Sequence, residues 1–324
     1  MFYMGGEQEL AKWNGYQNIT NSGRSSLRLI IESAQLQNKR VLLPDFLCEV
    51  IIDVLREYQV SYDFYKVNKS LQFELPSNIG QYSCLYLIKY FGEVSKSFVN
   101  AVSKFNKCII VDDVFSPYPH TLDSPQSWYS FNSLRKISAL ADFSMLYSNR
   151  PLSAVNIVHL PGFSEVKYQA KQCKYEYLST GQGEENTYLS LFTQGESCLV
   201  DNKGIYFPST RSISESISFY RKLDKEQVLR RKNYEIVSNE LADFILPISS
   251  EYYSFAPVLL ANRDEVKKGL TLHNVYLAIH WPEIYDVGNQ LSDFILSIPL
   301  DSRYSEDDMY KVCDLILSLI NRQL

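Results

Sequence analysis

The sequence predicts an α/β fold: a mostly parallel central sheet sandwiched by helices, followed by a smaller C-terminal α+β portion. Three observations carry that prediction. Residues 83–90 (SCLYLIKY) and 107–112 (KCIIVD) are continuous apolar runs, the pattern of parallel strands covered on both faces. A helix-like stretch near 95–106 lies between them, so the rhythm is strand–helix–strand. From residue 255 onward, short strand-like and helical segments alternate again.

The elements follow in order. Residues 22–26 (SGRSS) make a Gly/Ser turn that opens a helix carrying Leu27, Leu29, Ile30, Ile31 and Ala34. Residues 39–43 (KRVLL) form a short strand stopped by Pro44. Residues 48–58 have helical spacing, and 60–67 (VSYDFYKV) alternate like a strand. Residues 162–210 are less regular and read as a crossing segment with one or two helices. One long helix is predicted over 212–245, from Ile213, Ile217, Leu223, Val228, Tyr234, Val237 and Leu241 with charges between them. Beyond it, 255–260, 275–280 and 294–300 are strand-like, and 263–273 and 305–319 helical. Ser305 followed by Glu306, Asp307 and Asp308 is a helix start with acids in its first turn. A large domain over 1–214 and a small one over 215–324 are expected.

Composition narrows the function. The chain has 324 residues, 45% of them hydrophobic and 21% charged, which excludes a disordered or fibrous protein. The net charge of -5 argues against a broad nucleic-acid footprint. Six cysteines lack CxxC spacing and sit mostly in apolar runs, as reduced, buried thiols do. The first ten residues show no basic and apolar leader, and no apolar run is long enough to span a bilayer, so a cytoplasmic protein is expected, with no membrane and no nucleic-acid partner. Histidines stand apart at 120, 159, 273 and 280, so no metal site is expected. Walker, GxSxG and GxGxxG motifs are absent.

Three local features bear chemistry. The turn at 22–27 (SGRSSL) fits either an ordinary helix cap or a phosphate cradle of free backbone N–H groups. Asp112 and Asp113 end the KCIIVD strand, where α/β folds bind ligands; such an acid can serve a metal, a ribose or a protonated ring nitrogen, or simply cap a turn. Lys136, in SLRK at 133–136, lies between apolar runs. It is either a surface lysine or one whose pKa is lowered by desolvation for covalent chemistry.

Taken in order, these features resemble the DegT/DnrJ/StrS-type sugar aminotransferases, in the branch whose lysine motif reads S-[FL]-R-K. The SGRSSL turn resembles the family's SGR-x-AL, and residues 41–48 (VLLPDFLC) resemble VLLPAYTC. Residues 89–92 (KYFG) resemble H-Y-F-G, 110–113 (IVDD) I-x-E-D, and 230–234 (RRKNY) RR-x-NY. NRD at 262–264 and IHWP at 279–282 complete the series, with a closing strand at 295–300. The resemblance implies pyridoxal phosphate (PLP) fold type I, aspartate aminotransferase-like, and transfer of an amino group from an amino-acid donor such as glutamate to a nucleotide-linked keto sugar in surface-polysaccharide or glycoconjugate synthesis. It implies Lys136 as the lysine that holds the cofactor and Asp113 as the partner of its ring nitrogen. It places Gly23, Arg24, Ser25 and Ser133 at the cofactor phosphate, Cys48 in the column of the stacking ring, and Ser116 near the phenolic oxygen. A homodimer is implied too. The chain departs from the family at Lys89, where it has histidine, and at 141–144 (ADFS), where it has P-D-G-G; a family member that has drifted in reaction or lost catalysis is the alternative.

Overall fold

The computed structural model describes residues 15–156, 158–284 and 287–321; the first ten residues lie outside them. Seven strands form the main sheet: β1 (Tyr16–Thr20), β2 (Arg40–Pro44), β3 (Ser61–Tyr65), β4 (Cys84–Ile88), β5 (Cys108–Asp112), β6 (Trp128–Phe131) and β7 (Ser144–Ser148). Their order is β1-β7-β6-β5-β4-β2-β3. Strands β2 to β6 run parallel, while β7 is antiparallel to both its neighbours. The two continuous apolar runs are β4 and β5, at the centre of the sheet, where Leu85, Tyr86, Leu87, Ile109, Ile110 and Val111 are fully buried. Between strands run α1 (Gly23–Ser33), α2 (Glu49–Glu57) and α3 (Lys96–Lys104). Helix α1 buries Leu27, Leu29, Ile30 and Ile31 as its spacing predicts.

The rest of the chain builds a second layer. Helices α4 (Phe163–Thr180) and α5 (Glu185–Asp201) pack on each other as a hairpin. Then come α6 (Thr210–Arg221), α7 (Leu223–Glu240), β8 (Phe255–Leu259), α8 (Arg263–Leu272), α9 (Leu291–Phe294), β9 (Ile295–Pro299) and α10 (Glu306–Asn321). Strands β8 and β9 pair antiparallel, and α7, α8 and α10 pack around them. Ser305 caps α10 in a reciprocal arrangement: its hydroxyl accepts from the Asp308 N–H, and the Asp308 carboxylate accepts from the Ser305 N–H at 2.9 Å.

Two expectations change. The single helix over 212–245 is two, meeting at Lys222, where Asp224 and Glu226 supply the acidic first turn of α7. The strand expected at 275–280 reduces to one bridge between Ala278 and Ser297. The crossing segment contains two long helices, within the one or two expected there. Strands β1, β6 and β7 add to the expected set. Among the described residues, no helix is long and apolar enough to cross a membrane.

Topology decides where chemistry gathers. The parallel strands all end at one edge of the sheet, and β1 points the same way because it is two antiparallel steps from β6. That edge therefore receives the start of α1, the start of α2, the end of β5 and the turn after β6.

Candidate active site

The turn at the start of α1 is fixed from both sides. Ser22 is the N-cap, and its hydroxyl accepts from the Ser25 N–H. Gly23 lies on the end of β6: a Cβ there would stand 3.2 Å from the Phe131 ring, so glycine permits the approach. Ser25 is committed elsewhere. Its hydroxyl donates to Asn21 Oδ1 at 2.8 Å and accepts from the Tyr206 N–H. In this structure the Ser25 hydroxyl thus helps hold the turn together, while Arg24 lies within charge contact of Glu196.

Lys136 stands opposite, at the end of a 3-10 turn (Leu134–Lys136) that follows β6. Ser133 is buried at the start of that turn, and its carbonyl accepts the Lys136 N–H. The departure from P-D-G-G serves as a brace: the Phe143 N–H donates to the Asn21 carbonyl, and the Phe143 carbonyl accepts from the Leu134 N–H. It thereby ties the α1 turn to the lysine turn, with Phe143 held at a φ of 115°. A further tie comes from the buried Arg230, which donates to the Ile137 carbonyl at 3.0 Å. Solvent reaches Lys136, yet protein surrounds it. Burial, then Arg135, holds its ammonium below the ordinary lysine pKa. Cys48, the N-cap of α2, is within charge reach of both Arg24 and Lys136.

The two acids at the end of β5 part company. Asp112 is the last residue of β5, and Asp113 follows the strand. Asp113 is fully buried against Lys89, with Nζ 2.9 Å from Oδ2, and its other oxygen accepts from the Ser116 hydroxyl. In this structure the two residues expected at the ring nitrogen and the phenolic oxygen, Asp113 and Ser116, bond to each other, and Asp113 also pairs with Lys89. Asp112 is the acid on the lysine side. It lies within charge reach of Lys136 and accepts from the Tyr86 hydroxyl at 2.8 Å. Burial pushes its carboxyl up to about 7, against the pull of Tyr86 and the Val114 N–H.

The second layer closes the site. The His280 ring lies against Phe115 and Phe255, with centroids at 5.0 and 4.7 Å, and among the described residues its buried Nδ1 has no hydrogen-bond partner. Burial, then Lys136, lowers its pKa to about 3, so the imidazole is neutral. Trp281 stacks on Phe115 at 5.8 Å. From Lys136 a cleft of about 790 Å³ opens between α4 and the α6–α7 pair, with Lys171, Lys174, Arg211, Lys222 and Arg303 on its walls. Glu196 of α5 and Lys167 of α4 also meet Arg135 here. Motif reading passed over both; the one signal was a glycine, Gly195, inside an otherwise helical stretch.

No protein-family model matches the chain, and no curated protein matches it in sequence. Solved structures match over nearly its whole length. The DegT DnrJ EryC1 StrS aminotransferase from Brucella abortus matches at a TM-score of 0.60 and 14% identity, covering 94% of this chain and 85% of that one. The sugar aminotransferase CalS13 from Micromonospora echinospora matches at 0.61 and 12%, covering 93% and 87%. Spr1654 from Streptococcus pneumoniae, solved in PLP and PMP forms, matches at 0.60 and 0.65 with 11% and 10% identity, each covering 95% of this chain and 88% of that one. The chain therefore has the fold of the DegT/DnrJ/EryC1/StrS-type aminotransferases.

Proposed function

We propose that the chain is a PLP-dependent aminotransferase that moves an amino group, with glutamate as donor, to the keto carbon of a nucleotide-linked sugar. One observation carries the reading: the lysine turn after β6, the buried acid at the end of β5 and the arginine-bearing start of α1 gather at one edge of the sheet. The residues present fit the cofactor. Gly23 lets the helix start lie close against Phe131, and among the described residues Arg24 Nη1 and Arg135 Nε are buried donors without hydrogen-bond partners, suited to a phosphate. Lys136 would hold the aldehyde, Asp112 the ring nitrogen, and Gly23, Arg24 and Arg135 the phosphate. Bound there, the cofactor supplies an electron sink for the bond cleaved at the donor's α-carbon.

The chain's own groups do the rest. Lys136, with its pKa lowered, is a base that takes a proton from one carbon and returns it to another. Asp112 ionises when a cation stands beside it, so its raised pKa is corrected by the partner it serves. Phe115, Trp281 and the neutral His280 wall the site and exclude water. Five basic groups in the wide cleft suit a diphosphate, and the Arg211 guanidinium stacked 3.9 Å from the Tyr168 ring offers a flat face beside them. Exposed Tyr175 and Leu178 on α4, each about two-thirds accessible, support a second copy of the chain as partner. A light-scattering mass of two chains is expected; a mass of one would remove the dimer. The test of the reaction is a screen of keto-sugar nucleotides with glutamate. Production of 2-oxoglutarate that depends on both the sugar and Lys136 is expected. Turnover that survives Lys136→Ala would overturn the reading.

A further inference from the structure

Glu196 is a carboxylate set among cations that the proposed reaction does not use. Its Oε1 lies 2.8 Å from Arg135 Nη1 and 2.6 Å from Lys167 Nζ. Its Oε2 lies 3.5 Å from Arg24 Nη1, a charge contact without hydrogen-bond geometry. The cations come from three places: the start of α1, the lysine turn and α4. The cluster holds its acid firmly, and Arg135 and Lys167 drive the Glu196 pKa far below the carboxylate range in spite of burial.

The arrangement is built into the hairpin. Gly195 precedes Glu196 in the middle of α5, where glycine weakens a helix. A Cβ at that position would stand 2.7 Å from Lys167 Cδ. Glycine therefore lets the Lys167 stem lie across α5 and reach the carboxylate. The Glu196 side chain is 43% exposed, so it can leave without unpacking a core. Charge is unbalanced as well: Arg24, Arg135, Lys136 and Lys167 face this acid, and Arg24 Nη1 and Arg135 Nε still lack hydrogen-bond partners.

We propose that Glu196 is an internal ligand of this site: its carboxylate occupies the guanidinium pair in place of an incoming phosphate, which displaces it and moves α5 off the cleft. The inference rests on reading this cluster as the phosphate end of the site. Removing the charge removes a competitor, so phosphate gains what the internal carboxylate had held. Inorganic phosphate is the probe, titrated by calorimetry at constant ionic strength against the wild type and Glu196→Gln. The expected result is binding at least about tenfold tighter in Glu196→Gln. Hydrogen exchange of the α5 amides around residue 196 should also rise when the wild type binds phosphate. That second measurement stands even if the variant does not fold. Equal or weaker phosphate binding in Glu196→Gln, or stronger protection of α5 in the wild type, overturns the proposal and makes Glu196 a strut for the two arginines. Inorganic phosphate has no aldehyde, so the outcome does not depend on Lys136 chemistry. Loss of a lysine-dependent cofactor signal would sink the enzyme reading alone; an inverted affinity ratio with that signal intact would sink only the role of Glu196.

Discussion

Asp112 and Asp113 are adjacent in the chain, both nearly inaccessible, and differ in everything that follows. Asp113 faces a closed compartment in which Lys89 neutralises it and Ser116 completes its hydrogen bonding. Asp112 is buried on the lysine side, with a neutral donor in Tyr86, a backbone N–H from Val114, and Lys136 within charge reach. One acid is satisfied by the fold; the other is left near neutrality and awaits a cation. The pairing of Lys89 with Asp113 also gives a reason for the lysine at 89: it compensates a charge that would otherwise be buried alone.

The comparison can be broken at several points. Lys136→Ala should have the largest effect, a loss of transamination on the order of 10⁴-fold or more, since it removes both the covalent anchor and the proton carrier. Steady-state kinetics on equal amounts of folded protein check it. Asp112→Asn should follow, lowering kcat by about 10²–10³ through loss of charge stabilisation. Asp113→Asn should instead leave kcat within about threefold and lower stability by ~3–5 kcal/mol, because Lys89 is left as an unpaired buried charge. Denaturant melts beside the kinetics separate the two; equal kinetic damage from both variants would erase the distinction.

A gentler test uses pH. The Asp112 carboxyl titrates near 7 in the folded protein against an ordinary value of 3.8. Between those limits the native state keeps a proton that the unfolded chain has released, so Asp112 makes stability fall as pH rises through that window. Below about pH 4 the effect vanishes, and above pH 7 it is complete. Asp112→Asn should match the wild type in acid and exceed it by roughly 4 kcal/mol at pH 8, measured on protein without cofactor. The smallest effect is expected from Gly195→Ala. Better helix propensity opposes displacement of the Lys167 stem, for a net change within about 1 kcal/mol by thermal melting.

Much of the fold was legible because the central strands are covered on both faces and must be apolar throughout. Strands β6 and β7 were not, because they carry serine inward. Ser144 and Ser148 are fully buried and donate to the carbonyls of Asn132 and Trp128, so polar letters stand at core positions. The break at Lys222 lacks proline and glycine, and only the acids of the next turn mark it. In the site, the motifs located the right turns of chain but not which side chain faces the cleft. Asp112 and Asp113 are adjacent, and a motif match alone does not say which of them has its carboxylate on the lysine side. Ser25 and Ser116 show the same limit: their columns are at the site, and their hydroxyls are bound to neighbours. Glu196 and His280 come from distant segments, so no local spacing could bring them to Lys136.

The central claim is that Lys136 and Asp112 face one bound pyridoxal phosphate. Absorbance titration of the cofactor into the wild type, Lys136→Ala and Asp112→Asn tests it most directly. The account predicts a new long-wavelength band in the wild type, its absence in Lys136→Ala, and a band of shifted pH dependence in Asp112→Asn that Asp113→Asn does not reproduce. A wild type without the band, or a Lys136→Ala variant that keeps it, would contradict the account.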